Sequence, residues 1–273
     1  MFKKITAILL LFFCVFGFAN DLATIQRTKK VRIGVRLSQP PFSVLNSNNE
    51  FEGFEAELAK KLGEKLVGEN GYIELVGVNA NDRIPFLDSN KVDLLVANYT
   101  QNDERAKKVS FSMPYLSSNL AVISHKSKNI KTVKDLYNVK LLVIKGTTSI
   151  EWLEEKGISN FDLVYCSNSK DCFEKLTNGE GDAYLHTNIL VAYIPLLDPD
   201  FEMSIKIVGN IDFIAAAAKK DNKDLIKFVN KSILELSKEG FFKQAYESTL
   251  LPFYKGTLDK KFLLLDDIYN TFI

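Results

Sequence analysis

Histidine is nearly missing from this chain. Two occur in 273 residues, His125 and His186, far apart, and neither belongs to an H-E-x-x-H run. Cysteine is as scarce, with Cys14, Cys166 and Cys172 and no paired C-x-x-C, so no zinc-type ligand set is offered. Neither a G-x-S-x-G elbow nor a G-x-x-x-x-G-K-[ST] loop occurs, which argues against a serine-esterase nucleophile and a nucleotide phosphate cradle. An excess of one charge is lacking too: 35 basic residues face 34 acidic ones, net +1. No broad field therefore draws the protein to nucleic acid or to an anionic membrane, and its target is small or local.

A membrane-spanning run is also missing. Ile5 to Phe18 is apolar but short of the roughly 20 residues that cross hydrocarbon, and no basic stop follows it. With Lys3 and Lys4 before it and Gly17 and Ala19 at its end, Met1–Ala19 reads as a cleaved export signal, and the mature chain as periplasmic. Cys14 raises lipid attachment, against which bulky Phe13 stands. Export leaves Cys166 and Cys172 where disulfides persist; a small bridge and two separate thiols both stay open.

What is present is length and apolar content. At 273 residues and 46% apolar, the chain exceeds one ordinary domain and can build two lobes. Val31–Val35 reads as a strand running into the proline-stiffened loop Leu37–Phe42. Phe54, Leu58, Leu62 and Leu66 recur every four residues, the stripe of a helix lying on a sheet. Strands over 72–78 and 92–97, with a short helix over 82–87, complete a β/α alternation that implies a parallel sheet. A second alternating set follows: strand 140–144, helix 149–155, strand 161–165, helix 171–177, strand 182–185 and helix 188–197. Strands Leu120–Ser124 and Asp212–Ala218 bracket this set. Leu225, Ile226, Val229, Ile233 and Leu236 form a further helical stripe.

The stretch 100–115 carries the chemistry. Val92–Asn98 has a charged entry and a polar exit, so a buried strand delivers its polar end beside Arg105. Asn102 or Asp103 can cap a short helix there, and Arg105 supplies a planar fork suited to a carboxylate. On charge pattern alone, Glu104, Arg105, Lys107 and Lys108 also fit a solvated helix face with a Glu104–Lys108 pair.

The run T-x-x-x-E-R-A-K-K-V followed by F-S-x-P-Y (100–115) resembles the amino-acid-binding branch of the type II periplasmic solute-binding proteins, extracellular solute-binding protein family 3. Ile33-Gly34-Val35, Pro41-Phe42, Gly53–Ala59, Arg83-Ile84-Pro85, Gly146-Thr147-Thr148 and Gly181-Asp182-Ala183 follow in the family's order, over roughly residues 25–250. The resemblance implies a two-lobed α/β fold in which each lobe is a mostly parallel sheet with flanking helices, joined by two crossing strands. Lobe 1 is then 20–121 with 215–250, lobe 2 is 122–214, and 251–273 is a C-terminal extension. It also implies a ligand held between the lobes. Arg105 would hold its carboxylate, Thr100, Asn98 and Asn102 would form the floor, and the Thr147–Thr148 loop would add backbone N–H groups, unless Thr147 or Thr148 simply caps the following helix. His186, Thr187, Arg36 and Gln39 complete the expected set.

Two departures stand out. Where relatives place an aspartate that neutralises the ligand's ammonium, this chain has Thr187. Where many place aromatic side chains, it has Gln39 and Ala80. Phe42 and Tyr184 are candidate replacement walls, although alternation along a strand equally makes Tyr184 core. The expected function is non-catalytic capture of a carboxylate-bearing solute, an amino acid first, by a monomer that serves an ABC permease and needs no cofactor, metal or nucleic acid. A cleft dehydratase of the same fold and a module feeding a chemoreceptor or sensor kinase are the alternatives.

Overall fold

The computed structural model describes residues 21–258 and Lys260. The export signal, with Cys14, and most of the C-terminal extension, Asp259 and the residues from Lys261 onward, lie outside the described residues. The principal strands are β1 (Lys30–Arg36), β2 (Tyr72–Val78), β3 (Leu94–Leu95), β4 (Thr100–Gln101), β5 (Val109–His125), β6 (Lys140–Ile144), β7 (Asp162–Cys166), β8 (Ala183–Thr187) and β9 (Phe201–Lys219). The helices used below are α1 (Leu22–Thr28), α2 (Phe54–Val67), α3 (Arg83–Asp88), α4 (Asp103–Ala106), α5 (Thr148–Glu155), α6 (Ser169–Thr177), α7 (Asn188–Val191), α8 (Ile194–Leu197) and α9 (Lys223–Lys238).

The strands join in the order β7-β6-β8-β5-β9-β3-β1-β2, with β4 pairing with β9 off this path. β1 runs parallel to β2 and β3, and β6 runs parallel to β7 and β8. Between these two β/α halves run β5 and β9, antiparallel to each other and to their neighbours. This is the two-lobed α/β fold that the family resemblance implies.

Each half buries apolar side chains on both faces of its part of the sheet. The helical stripes Leu58–Leu62–Leu66 of α2 and Leu225–Val229–Ile233–Leu236 of α9 lie on Ile33, Leu94 and Val96. Val78, Leu95, Ala97 and Ala217 fill the opposite face. In the other half, Leu141, Val143 and Leu185 pack with Leu153, and Leu142, Ile144 and Tyr184 pack with Cys172 and Leu176. Gly34 marks a close approach within the sheet, since a Cβ there would stand 2.7 Å from Leu95 Cδ2. Asp93, the charged entry to β3, accepts from Arg32 N at 2.9 Å and pairs with the Arg32 guanidinium at 2.7 Å.

Several elements differ from the sequence expectation. The crossing strands are far longer than Leu120–Ser124 and Asp212–Ala218, because polar Ser117, Ser118 and Asn119 and Pro114 hide the continuity of β5. Pro114 lies at a register irregularity opposite Ala215, the kind of place where a strand tolerates proline. The strand expected over 92–97 contributes only Leu94–Leu95 to the sheet. The single helix expected over 188–197 is two, α7 and α8, the second begun at its N-terminus by Pro195, which cannot donate to a continuing helix. Cys166 and Cys172 are disulfide-bonded, with Cα atoms 5.2 Å apart.

At the crossing between the halves Asn119 and Asn188 clasp each other. Asn119 N donates to Asn188 Oδ1 at 3.2 Å and Asn188 Nδ2 returns to Asn119 Oδ1 at 3.0 Å. The C-terminal segment 251–258 returns to the core of the first half, where Tyr254 and Leu258 are buried, and the Tyr254 hydroxyl donates to the Ile189 carbonyl of α7. No helix among the described residues is long and apolar enough to cross a membrane.

Candidate functional site

A small cavity opens between the halves where β1, β6 and β8 end and the chain leaves β3, the place an open α/β sheet offers to a ligand. It is lined by Arg36, Gln39, Ala80, Arg83, Asn98, Thr100, Arg105, Thr147, Thr148, His186, Thr187 and Leu190. The space left is ≈ 20 Å³ as traced by the centre of a water molecule, room for about one water. The halves are drawn together around it.

Arg105 sits on the short helix α4, whose N-cap is Asn102: its Oδ1 accepts from Arg105 N at 2.9 Å. The guanidinium is fixed by three contacts, with Nη1 on the Thr100 carbonyl at 3.0 Å and Nε and Nη2 beside Glu151 Oε1 at 2.9 and 2.8 Å. Glu151 belongs to α5 in the other half, and its Oε2 also accepts from Asn102 Nδ2 at 2.7 Å. One carboxylate therefore latches the two halves. The Nη2 contact is close but off-axis, so Nη2 remains a buried donor without a hydrogen-bond acceptor.

Arg83, which the sequence reading quoted only as part of a family motif, is the second guanidinium. Its Nε donates to Ala80 O at 2.9 Å, Nη1 to Asn98 O at 2.9 Å, and Nη2 crosses to Gly146 O at 2.7 Å. Tyr99 lies between the two arginines, its ring centre 4.4 Å from the Arg83 guanidinium carbon and 4.8 Å from that of Arg105. Burial, then the charges of Arg105 and Arg36, pull the Arg83 pKa well below the usual arginine range. Arg36, also buried, completes the trio from the end of β1, with Nε on Gln39 Oε1 at 3.1 Å and Nη1 on Val78 O at 3.2 Å.

Asn98 adopts a left-handed backbone (φ 48°), a conformation that asparagine tolerates better than most residues. This aims its N–H at Glu55 Oε1, 2.6 Å away, which the Tyr115 hydroxyl also reaches at 2.5 Å. Glu55 is wholly buried behind the cavity floor, and burial pushes its carboxyl up to about 7 against the pull of those two bonds and of Arg36 and Arg83. Asn98 Nδ2, like Arg105 Nη2, is a buried donor with no acceptor.

The other half adds the loop before α5. Gly146 has φ +73°, and a Cβ there would lie 2.1 Å from Asn81 Oδ1, so the close approach needs glycine twice over. The Thr147 hydroxyl turns back to Ile144 O at 2.7 Å and no side chain caps α5, contrary to the simple capping role considered for Thr147. His186 Nδ1 accepts from Thr187 N at 2.7 Å, and burial with nearby Arg36 and Arg83 lowers its pKa to about 3, leaving a neutral imidazole.

Nine of the ten residues nominated from sequence line this one cavity: Arg36, Gln39, Asn98, Thr100, Arg105, Thr147, Thr148, His186 and Thr187. Asn102 does not; it caps α4 and holds Glu151. Phe42 and Tyr184 are core, Phe42 against Phe54 and Tyr184 against His186. Glu104 pairs with Lys107, not with Lys108. Sequence reasoning missed Ala80 as a wall in its own right, Leu190, and the structural partners Glu55 and Glu151. The signals for Arg83 were its place in the Arg83-Ile84-Pro85 motif and its being a lone cation in the apolar run R-I-P-F-L. Among the described residues no group of three or more His, Cys, Asp or Glu could hold a metal ion.

Comparison with known proteins places this geometry. The solute receptor for L-cysteine of Neisseria gonorrhoeae is 37% identical with a TM-score of 0.84, over 89% of this chain and 99% of that one. The cysteine-binding protein of Campylobacter jejuni is likewise 37% identical, TM-score 0.82, over 87% and 96%. The ABC transporter glutamine-binding protein GlnH of Bacillus subtilis is 28% identical over 230 residues, 84% of each chain. The family described as bacterial extracellular solute-binding proteins, family 3, matches residues 31–251. The chain therefore belongs to family 3 of the bacterial extracellular solute-binding proteins.

Proposed function

We propose that this protein captures a small carboxylate-bearing solute between its two lobes and presents the closed complex to an ABC importer. The observation that carries the reading is the meeting of Arg105, Thr100 and the Thr147–Thr148 loop across one cavity. A planar guanidinium braced by a carbonyl and the uncapped start of α5 together make a carboxylate site. The relatives named above bind cysteine and glutamine, which share an α-carboxylate, and a carboxylate is what this cavity is equipped to hold. The lobe limits 20–121 with 215–250 and 122–214 belong to the same reading, with β5 and β9 as the hinge and the Asn119–Asn188 clasp beside it.

Periplasmic residence and action as a monomer are part of the proposal. The Cys166–Cys172 bridge and the export-type N-terminus support the first. Binding is favoured over catalysis because the lining contains no carboxylate for acid–base work and its one imidazole, with its pKa lowered to about 3, is too weak a base near neutral pH. The test is a thermal-shift screen of amino acids, small peptides, dicarboxylates and keto acids, since a bound solute raises apparent stability by mass action. X-ray scattering should then show compaction with the compound that binds. A screen in which nothing raises Tm overturns the receptor reading.

A further inference from the structure

The lining of the cavity is one-sided in charge: three arginines and no aspartate or glutamate. We propose, resting on the receptor reading above, that the solute is a compact dianion without an ammonium group. Small dicarboxylates and carboxylate–sulfonates share this chemistry.

Three observations support it. Arg83 and Arg36 are held by neutral acceptors, which orient them without cancelling their charge, whereas Arg105 is shared between a carbonyl and Glu151. Arg83 lies on the carbonyls of Ala80, Asn98 and Gly146, Arg36 on Gln39 and the Val78 carbonyl, and Arg105 on the Thr100 carbonyl. The carboxylates that do come near approach from outside. Glu55 lies behind the main chain of Asn98, Glu151 grips the face of Arg105 turned toward α5, and Asp212 acts on Arg105 without lining the cavity.

The second observation is the corner at Thr187, where the family pattern leads one to expect the aspartate that neutralises an ammonium. Here it offers a hydroxyl and a neutral imidazole, and Arg36 and Arg83 both act on that imidazole. An ammonium placed there would meet like charge and no counter-charge among the lining side chains. A second acidic group would instead meet Arg36, whose Nη2 is not used by the Gln39 and Val78 contacts.

The third is the sign of the unmet hydrogen bonding. The two buried polar atoms on cavity-lining side chains that lack a hydrogen-bond acceptor are Asn98 Nδ2 and Arg105 Nη2, both donors, the second beside Glu151 Oε1 at 2.8 Å. A ligand that completes them brings acceptors. Arg105 and Asn98 Nδ2 supply donors for one acidic group, and Arg36, from the end of β1, supplies donors for a second.

The experiment is isothermal titration of the full mature protein with succinate and sulfoacetate, against aspartate, cysteine, glutamine and propionate. A dianion should bind at least tenfold more tightly than aspartate and propionate, about 1.4 kcal/mol or more. Thr187→Asp should weaken the dianion by tenfold or more while improving cysteine or aspartate. Should cysteine or glutamine bind wild type more tightly than either dianion, and lose affinity in Arg105→Ala, the receptor reading stands and this inference falls. When none of the six compounds binds, the inference fails as stated, and the broader screen decides the receptor reading separately. A dianion that binds Thr187→Asp as tightly as wild type also overturns it, because its second acidic group would not face that corner.

Discussion

Replacing Arg105 by alanine separates its structural from its binding role. In the free protein the substitution removes an ion pair to Glu151, whose side chain is 37% exposed, worth at most about 1 kcal/mol. It also removes one carbonyl hydrogen bond, about 1 kcal/mol, and a contact over Tyr99 worth about 0.5–1 kcal/mol. The sum, about 2–3 kcal/mol, lowers Tm by roughly 5–10 °C and leaves a folded protein. Binding suffers more. A buried guanidinium that grips a carboxylate costs about 2–5 kcal/mol when truncated, some 30-fold to several thousandfold in Kd. Arg105→Lys keeps the charge but loses the fork, so it should fall between wild type and alanine. Calorimetry with whichever compound raises the wild-type Tm, on variants shown folded by circular dichroism, decides the matter. An Arg105→Ala protein that is folded and binds within threefold of wild type refutes the reasoning.

Glu55 makes a pH prediction. Its folded pKa of about 7 lies above the ordinary 4.5, so the native state holds the proton more tightly than the unfolded state does. Stability is therefore fuller below pH 4.5 and falls by about 3 kcal/mol as pH rises through 4.5–7; Glu55→Gln should flatten that part of the Tm–pH curve, and an unchanged slope counts against the assignment. Reducing Cys166–Cys172, which closes a loop of six-residue separation, should cost about 2 kcal/mol; a Tm that ignores dithiothreitol contradicts this. Glu151→Gln removes the charge that latches the halves through Arg105 and Asn102, so the ligand-free radius of gyration should rise, and a superimposable scattering profile rules the latch out.

Much of the fold was readable because its signals are local. The stripes of α2 and α9 and the β/α alternation are set by residues within a few positions of one another. The cavity was readable through motif residues at strand ends, since Arg36, Asn98, Thr147 and His186 each follow a recognisable apolar run. What escaped depends on partners distant in sequence. Arg83 is held by carbonyls 15 and 63 residues away, and Glu151 meets Arg105 across 46. Glu55 resembled an ordinary first-turn acid of α2 until the floor at Asn98 closed over it. Asn102 was assigned to the ligand although its oxygen is consumed by the cap, a competition that spacing alone does not resolve.

The placement of the three guanidinia also sets the tempo of capture. They lie beneath the surface of a chain whose formal charge is only +1, so a drifting anion feels little pull until it is within about 8 Å at physiological salt. Its arrival rate should be that of an unsteered encounter, nearly indifferent to ionic strength. Discrimination among solutes then resides in dwell time: the right molecule is the one that stays long enough to be delivered.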